Sequence, residues 1–407
     1  MTAPPATSPP NRPRSAPRAH DGVVAGLAGD DFDRDVWCIL GLPIDAADIP
    51  RAVEAVETAV RARRRLSFVT PNVNWLVRAL RDAKARRQVL NADLSLADGA
   101  PLVAVARLLG APITRAAGSD VFEALALRPG FPGRRIRVFF FGGREGSAKA
   151  AHAALARAPS GLEAAGWLNP GFGDAASMSS EKVIAEINAA APDFVVVALG
   201  AAKGQDWIEA NQHRLAAPAI AHLGAVVDFA AGAVRRAPPL IAAIGLEWAW
   251  RIAEEPALWR RYGRDALSLW GILATRFAPQ VFLGRGRGRA EAAAEAAVER
   301  RADGLVVHLS GALAHGGLSP VRAAFRQAAA AGGPVILDFT NVRSVDRAFL
   351  GLVLMLEKTL PAGGLKTAAA SRPLAALLAA NAMAYPVCEI APAAPQDEPG
   401  RARAAAR

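Results

Sequence analysis

Short apolar runs alternate with longer stretches in which apolar positions recur every three or four residues, from Val36 to about Ala233. The short runs predict strands at Val36–Leu40, Leu66–Val69, Arg137–Phe141, Phe194–Leu199 and Ile220–Val227. The longer stretches predict helices at Ile49–Arg63, Val73–Asp82, Val103–Leu109, Ala148–Arg157, Glu181–Ala190 and Asp206–Arg214. Strands separated by helices in this way predict an α/β domain, with a Rossmann-like, mainly parallel sheet covered on both faces.

The pattern changes twice further on. Residues 234–290 hold ten arginines against four acids, with Trp248, Trp250, Trp259 and Trp270 interspersed, and end in the run Gly284-Arg-Gly-Arg-Gly-Arg289. A second strand–helix alternation follows. Its strands are expected at Gly304–Leu309, Val335–Phe339, Leu365–Ala368 and Val387–Ile390, and its helices at Pro320–Ala331, Arg347–Leu360 and Pro373–Asn381. The chain therefore divides into a disordered tail (1–33), a large α/β domain (34–238) and an Arg/Trp-rich helical appendage (239–283). A linker (284–290), a small separate α/β domain (291–392) and a second tail (393–407) complete it.

Composition narrows the function classes. At 407 residues, 52% of them hydrophobic, the chain has enough apolar material for two or three domains. The net charge of +11 favours an acidic partner: nucleic acid, an anionic membrane surface or a phosphorylated substrate. Aromatics are 6% and no nucleic-acid-binding module surrounds the basic segment, so nucleic acid is not expected. Two distant cysteines, Cys38 and Cys388, fit a reducing compartment and exclude a disulfide scaffold. The six histidines show no ligand spacing, and Asp31-Phe-Asp33-Arg-Asp35 reads as a solvated acidic patch, so neither a metal nor another cofactor is expected. Residues 1–20 carry no apolar core of a secretory signal, and no stretch of roughly 18 apolar residues runs unbroken. The nearest, Leu215–Val234, reads as buried strand and loop.

Candidate chemistry gathers where strands end. Thr70 and Asn72 follow the run Leu66–Val69, and Asp98 precedes Gly99 at a second strand-like edge, where a carboxylate can serve as general base. An isolated Asp-Gly is also an ordinary turn. Phe139-Phe-Phe-Gly-Gly-Arg-Glu-Gly-Ser147 enters a glycine turn ahead of a helix; Gly142 and Gly143 would let backbone N–H groups approach a diphosphate, or simply form a turn. Lys203 and Gln205, after the strand ending near Gly200, suit a phosphate or sugar hydroxyls, or a solvated lysine and a capping amide. Ser119 or Asp120 is expected to cap the helix over Val121–Leu127. The arginines and tryptophans of 234–290 suit a membrane-surface element or a helical subdomain with tryptophans in its own core.

In this order the segments resemble the WecG/TagA/CpsF glycosyltransferase family over roughly Val36 to Asp265. The markers are Thr70-x-Asn72, Ala92-Asp93…Asp98-Gly99, Arg115…Gly118-Ser-Asp120, Phe141-Gly-Gly143 and Gly200…Lys203. They continue with Asp228-Phe…Gly232…Arg236-Ala-Pro238, Gly245-Leu-Glu-Trp248…Arg251 and Glu255-Pro256…Arg260-Arg-Tyr262. The resemblance implies metal-independent, inverting transfer of a sugar from a nucleotide-sugar, usually a UDP-sugar, to a polyprenyl-diphosphate-linked saccharide. It places the reaction at the inner face of the bacterial membrane, in exopolysaccharide or surface-glycan assembly. It casts Asp98 as the base and Thr70 and Asn72 as sugar contacts. Arg115, Arg236, Arg251 and Arg260 would stabilise the leaving diphosphate, with Gly142, Gly143, Lys203, Gln205 and Asp228 completing the substrate site. One departure stands out: the family often reads Gly-x-Pro-Lys-Gln-Glu where this chain has Gly200-Ala-Ala-Lys-Gly-Gln205. That departure also admits a non-catalytic scaffold on a degenerate transferase fold.

The C-terminal domain resembles a STAS domain through Val335-Ile-Leu-Asp-Phe-Thr-Asn-Val-Arg-Ser-Val-Asp346…Leu350-Gly-Leu352. Regulatory members usually carry a phosphorylatable Ser or Thr after the loop aspartate; Arg347 and Ala348 stand there instead. The resemblance therefore implies docking, to a protein partner or to the transferase domain itself, rather than a phospho-switch.

Overall fold

The computed structural model describes residues 30–129, 134–157, 160–232, 237–238, 241, 245–277, 280, 293–302 and 304–390. Six strands form the central sheet: β3 (Leu66–Val69), β4 (Leu94–Ser95), β5 (Ile136–Gly142), β6 (Leu162–Leu168), β7 (Phe194–Ala198) and β8 (Ala219–His222), after an N-terminal hairpin of β1 (Val36–Ile39) and β2 (Leu42–Asp45). Every pairing within the six is parallel, in the order β4-β3-β8-β7-β5-β6. The chain runs outward from β3 to β4 on one side and from β5 to β6 on the other. β7 leads the other way to β8, which returns beside β3, so the β5–β7 junction is the topological switch point.

Alternate residues of the central strands feed two cores. Phe68, Val138, Phe140, Phe194 and Val196 face α1 (Ile49–Ala62), α5 (Gly118–Leu127) and α6 (Ser147–Arg157). Phe139, Phe141, Val195 and Val197 face α7 (Glu181–Ala189) and α8 (Ala201–Asn211), where Phe141 stacks on Trp207 at 4.3 Å between centroids. Both faces are dry, which is why these strands read as unbroken apolar runs. Helix α1 begins where Asp48 accepts the Arg51 N–H at 3.0 Å and ends at Arg63 with φ +52°.

Several expectations are corrected. Ile220–Val227 is not one strand: it breaks after His222, and α9 (Gly224–Ala230) begins. β2, β4, β6 and the helix α3 (Ala83–Leu90) are not among the expected elements; α2 (Val73–Ala79) falls on the expected Val73–Asp82, and α4 (Ala100–Leu108) is next in the chain. The acidic patch is not simply solvated. Asp31–Asp33 forms a 3-10 turn with Phe32 buried, Asp31 pairs with Arg34 at 2.7 Å, and Asp30 pairs with Arg326 at 2.6 Å. The 284–290 linker and the 393–407 tail lie outside the described residues, as does the 1–29 part of the first tail.

The small domain has the strand order β12-β11-β10-β9, with β9 (Glu295–Arg301) antiparallel to β10 (Gly304–Leu313), and with β11 (Val335–Val345) and β12 (Leu365–Ala368) parallel. The expected strand Val387–Ile390 contributes only a single bridge, Val387 to Thr367. This separate small domain packs directly on the rest. One continuous core joins β1 and β2, α2 to α4 and the small domain's own helices. Those helices are α12 (Ser319–Ala331), α13 (Arg347–Thr359) and α14 (Arg372–Ala380). Helix α13 lies so close to β1 that a Cβ on Gly351 would come within 2.0 Å of the Val36 carbonyl oxygen. Across the same seam the Arg86 guanidinium grips the Glu357 carboxylate (2.8 Å at Nη2–Oε2), Tyr385 donates to Glu357 at 2.7 Å, and Lys358 pairs with Asp31 at 2.9 Å. The STAS-like helix thus docks on the transferase domain, one of the two partners expected for it.

Candidate active site

The carboxyl edge of the six-stranded sheet collects the polar residues. Thr70 leaves β3, and Asn72 caps α2, accepting the Trp75 N–H at 3.4 Å. The Asp98 N–H donates to the Pro71 carbonyl at 2.9 Å, which sets Asp98 beside that turn. Gly99 takes φ +93° as α4 begins, a conformation glycine adopts without strain. At Gly118 a Cβ would fall 2.3 Å from Leu223 Cδ2 and 3.2 Å from Thr70 Cγ2, so only glycine lets α5 start against the ends of β3 and β8.

That close approach brings Arg115 and Asp120 to the ends of β3 and β8. Arg115 binds Asp120 at 2.7 Å and Glu247 at 2.5 Å, so the expected cap is corrected: Ala117 precedes the helix without a side-chain cap, and Asp120 serves Arg115 instead. Glu247 opens helix α10 (Glu247–Glu254), and its pairing ties the Arg/Trp-rich appendage to the cleft. Burial pushes the Asp98 carboxyl up to about 6; Arg115 and Arg251 oppose the rise, and Glu247 and Asp120 add to it.

A second cluster forms at the glycine turn after β5. Gly142 and Gly143 have φ +90° and +93°, and a Cβ on Gly142 would lie 2.8 Å from the Ala198 carbonyl oxygen. Ser147, at the start of α6, hydrogen-bonds Asp228 of α9. Burial raises the Asp228 carboxyl, with Arg144 and Arg251 opposing, and its Oδ1 is buried without a partner among the described residues. Arg144 pairs with Glu255 at 2.5 Å, a second tie to the appendage. Arg251 lies over the Phe229 ring at 5.7 Å and faces both Asp98 and Asp228 electrostatically, linking the two clusters.

The structure therefore brings Thr70, Asn72, Asp98 and Arg115 to one end of the cleft, and Gly142, Gly143, Asp228 and Arg251 to the other. Lys203 and Gln205 start α8; Gln205 is buried rather than capping, and its Oε1 has no partner among the described residues. Arg260 is not gathered with these groups: it is exposed on helix α11 (Trp259–Ile272), against the Trp259 ring at 5.8 Å. Arg236 lies outside the described residues. Asp120, Arg144, His222 and Glu247 were not singled out as site residues from the sequence. The strings Gly118-Ser-Asp120 and Gly245-Leu-Glu-Trp248 held two of them in view, but a carboxylate partner for Arg115 appears only when the chain folds. No group of three His, Cys, Asp or Glu side chains among the described residues is placed to hold a metal ion.

A parallel sheet with a buried carboxylate and guanidinium groups gathered at its carboxyl edge places the chain among α/β folds that bind ligands at strand ends. Residues 37–305 match the glycosyl transferase WecG/TagA/CpsF family, and the chain belongs to that family. It is a glycosyltransferase. Residues 296–384 match the family described as Mlab, STAS domain. The chain is similar to an N-acetylglucosaminyldiphosphoundecaprenol N-acetyl-beta-D-mannosaminyltransferase of Bacillus spizizenii, 30% identical over 217 residues, 53% of this chain and 82% of the relative. Proteins of the same name from Staphylococcus aureus strains MW2 and NCTC 8325 are 26% identical over 230 residues, 56% of this chain and 86% of theirs.

Proposed function

We propose that this glycosyltransferase moves a sugar from a nucleotide-sugar, a UDP-sugar, to a polyprenyl-diphosphate-linked saccharide in a single inverting displacement. The observation that carries the reading is Asp98, a carboxylate beside the turn after β3 whose proton affinity burial has raised to about 6. The acceptor hydroxyl gives its proton to the Asp98 carboxylate as its oxygen bonds to the anomeric carbon. The bond from that carbon to the diphosphate breaks, and the nucleoside diphosphate leaves with the electron pair. Arg115 and Arg251 offset the charge that develops on the diphosphate, a stabilisation that fixed cations supply in place of a metal. Thr70 and Asn72 hold a sugar next to the base. The relatives' printed names support an acceptor of this kind and an N-acetylated sugar.

The reading includes an anionic membrane surface at the cell's inner face and a product in exopolysaccharide or surface-glycan assembly. No helix among the described residues is long and apolar enough to cross a membrane. The tryptophans of the appendage do not form a core of their own: Trp259 is 60% exposed, Trp270 73% and Leu267 76%, amid Arg260, Arg261 and Arg264. Apolar side chains fringed by arginines suit the interface of an anionic bilayer.

The test is transfer by the purified chain from a panel of UDP-sugars to a lipid-linked acceptor, read by mass spectrometry, with Asp98→Asn beside it. The variant is expected to lose roughly 10²–10⁴-fold in kcat. Equal rates for the two proteins would sink Asp98 as base, and no turnover with any donor would favour the scaffold.

A further inference from the structure

The departure at Gly200–Gln205 has a structural counterpart at the end of β8. In the family's Gly-x-Pro-Lys-Gln-Glu string the amide falls at position 204, and this chain has glycine there. Gln205 does not stand in for it, because one step along a helix turns a side chain by about 100°. Gln205 is 2% exposed, turned into the protein.

The space a 204 side chain would take is already filled. A Cβ built on Gly204 lies 2.1 Å from His222 Cδ2, 2.8 Å from Nε2 and 3.0 Å from Cγ. These are ring atoms of a side chain rooted on β8, so no residue but glycine fits at 204 while the imidazole keeps its place. Gly224, two residues after the histidine, approaches the same ring at 3.8 Å. His222 Nε2 and Gln205 Oε1 are both buried without partners among the described residues. The orphaned His222 Nε2 at the carboxyl end of β8 leaves hydrogen-bonding capacity that a ligand rich in hydroxyl and amide groups can use.

We propose that positions 204 and 222 have exchanged occupancy: the space a side chain at 204 would fill is taken by His222 from β8, which gives a substrate a hydrogen bond there, and Gly204 exists to make room for it. The ligand is a sugar of one of the two substrates, and His222 binds it rather than transferring protons. Burial and the facing Arg78 guanidinium depress its pKa to about 4, so at neutral pH the imidazole is an uncharged group with one donor and one acceptor. This inference rests on the transferase reading for its ligand but not for its geometry.

The experiment uses the full chain and two readouts. Gly204→Gln alone is expected to lower Tm by about 5 °C or more, whereas Gly204→Gln combined with His222→Gly returns Tm to within about 2 °C of the parent. An undisturbed single variant, or a double variant as unstable as the single, overturns the exchange. In the transfer assay His222→Ala is expected to raise KM for one substrate about tenfold with kcat within threefold. His222→Asn and the double variant should each recover most of that loss. A folded His222→Ala with parental KM for both donor and acceptor overturns the ligand role. Absence of transfer by the parent chain with every UDP-sugar sinks the proposed function, and the melting comparison still decides the exchange.

Discussion

Two regions of this molecule bury polar groups, and they differ in how far charge is paired, although Arg86 Nε at the first is also without a partner among the described residues. At the seam between the STAS-like helix and the hairpin, charges meet opposite charges: Arg34 with Asp45 at 2.8 Å, Arg86 with Glu357, Lys358 with Asp31. At the cleft, Gln205 Oε1, His222 Nε2 and Asp228 Oδ1 are buried without partners, and Asp98 and Asp228 are held above the usual carboxylate range. A paired buried group contributes to holding one arrangement in place; an unpaired one costs about 1–3 kcal/mol until something binds it. Pairing at the seam therefore holds one arrangement in place, while the unpaired groups at the sheet edge keep hydrogen-bonding capacity open.

The contrast predicts that changes at the two regions separate activity from stability. The largest effect belongs to the cleft, where Asp98→Asn removes catalysis while the protein remains folded. Its Tm is expected to rise at pH 7.5, because the ionised carboxylate is the unfavourable form in the folded state. A Tm below the parent's would contradict that electrostatic account. At the seam, Gly351→Val drives a branched side chain into the Val36 carbonyl. The expected cost is about 3 kcal/mol or more, read as a lower midpoint in urea. A midpoint like the parent's would show that the two domains can part without loss. Arg86→Ala leaves Glu357 part-buried with only Tyr385 for company, at a cost near 2 kcal/mol measured the same way.

Smaller effects test the outer surface and the pH response. Trp259→Ala with Trp270→Ala is expected to weaken co-sedimentation with anionic liposomes several-fold and leave Tm unchanged, since neither ring is buried. Undiminished binding removes these rings from the membrane reading. The Asp98 carboxyl lies near 6 in the folded protein against 3.8 without it. Activity should therefore climb as pH rises through about 6 and the base ionises. Stability should move the other way between about 4 and 6, because the folded state holds this proton more tightly than the unfolded one. A kcat profile flat from pH 5 to 8 would remove Asp98 from the base role.

Much of this organisation was legible in the sequence. The apolar runs at Leu66–Val69, interrupted only by Ser67, and Phe194–Ala198 announced buried parallel strands, because a strand covered on both faces has no side that must be polar. The order of Thr70, Asn72, Asp98, Arg115, Gly142 and Asp228 along the chain was enough to indicate a family. β4 was harder to see, because two residues of strand carry no period of their own. The strand-like reading of Ile220–Val227 failed because apolar composition does not distinguish a buried strand from a buried helix, and Gly224 alone marks the break.

What the sequence determined by itself was local: element type, the apolar faces, the strand-end polar residues and the absence of an amide at position 204. What only the tertiary structure decided was pairing across distance. Arg115 finds Glu247 132 residues away, Arg86 finds Glu357 271 residues away, and His222 takes the space above Gly204. Periodicity reports which face of an element is buried, since that depends on neighbours three or four residues away. It cannot report what lies opposite, because the partner is set by the crossovers that order the strands and by glycines whose missing side chains let two backbones meet.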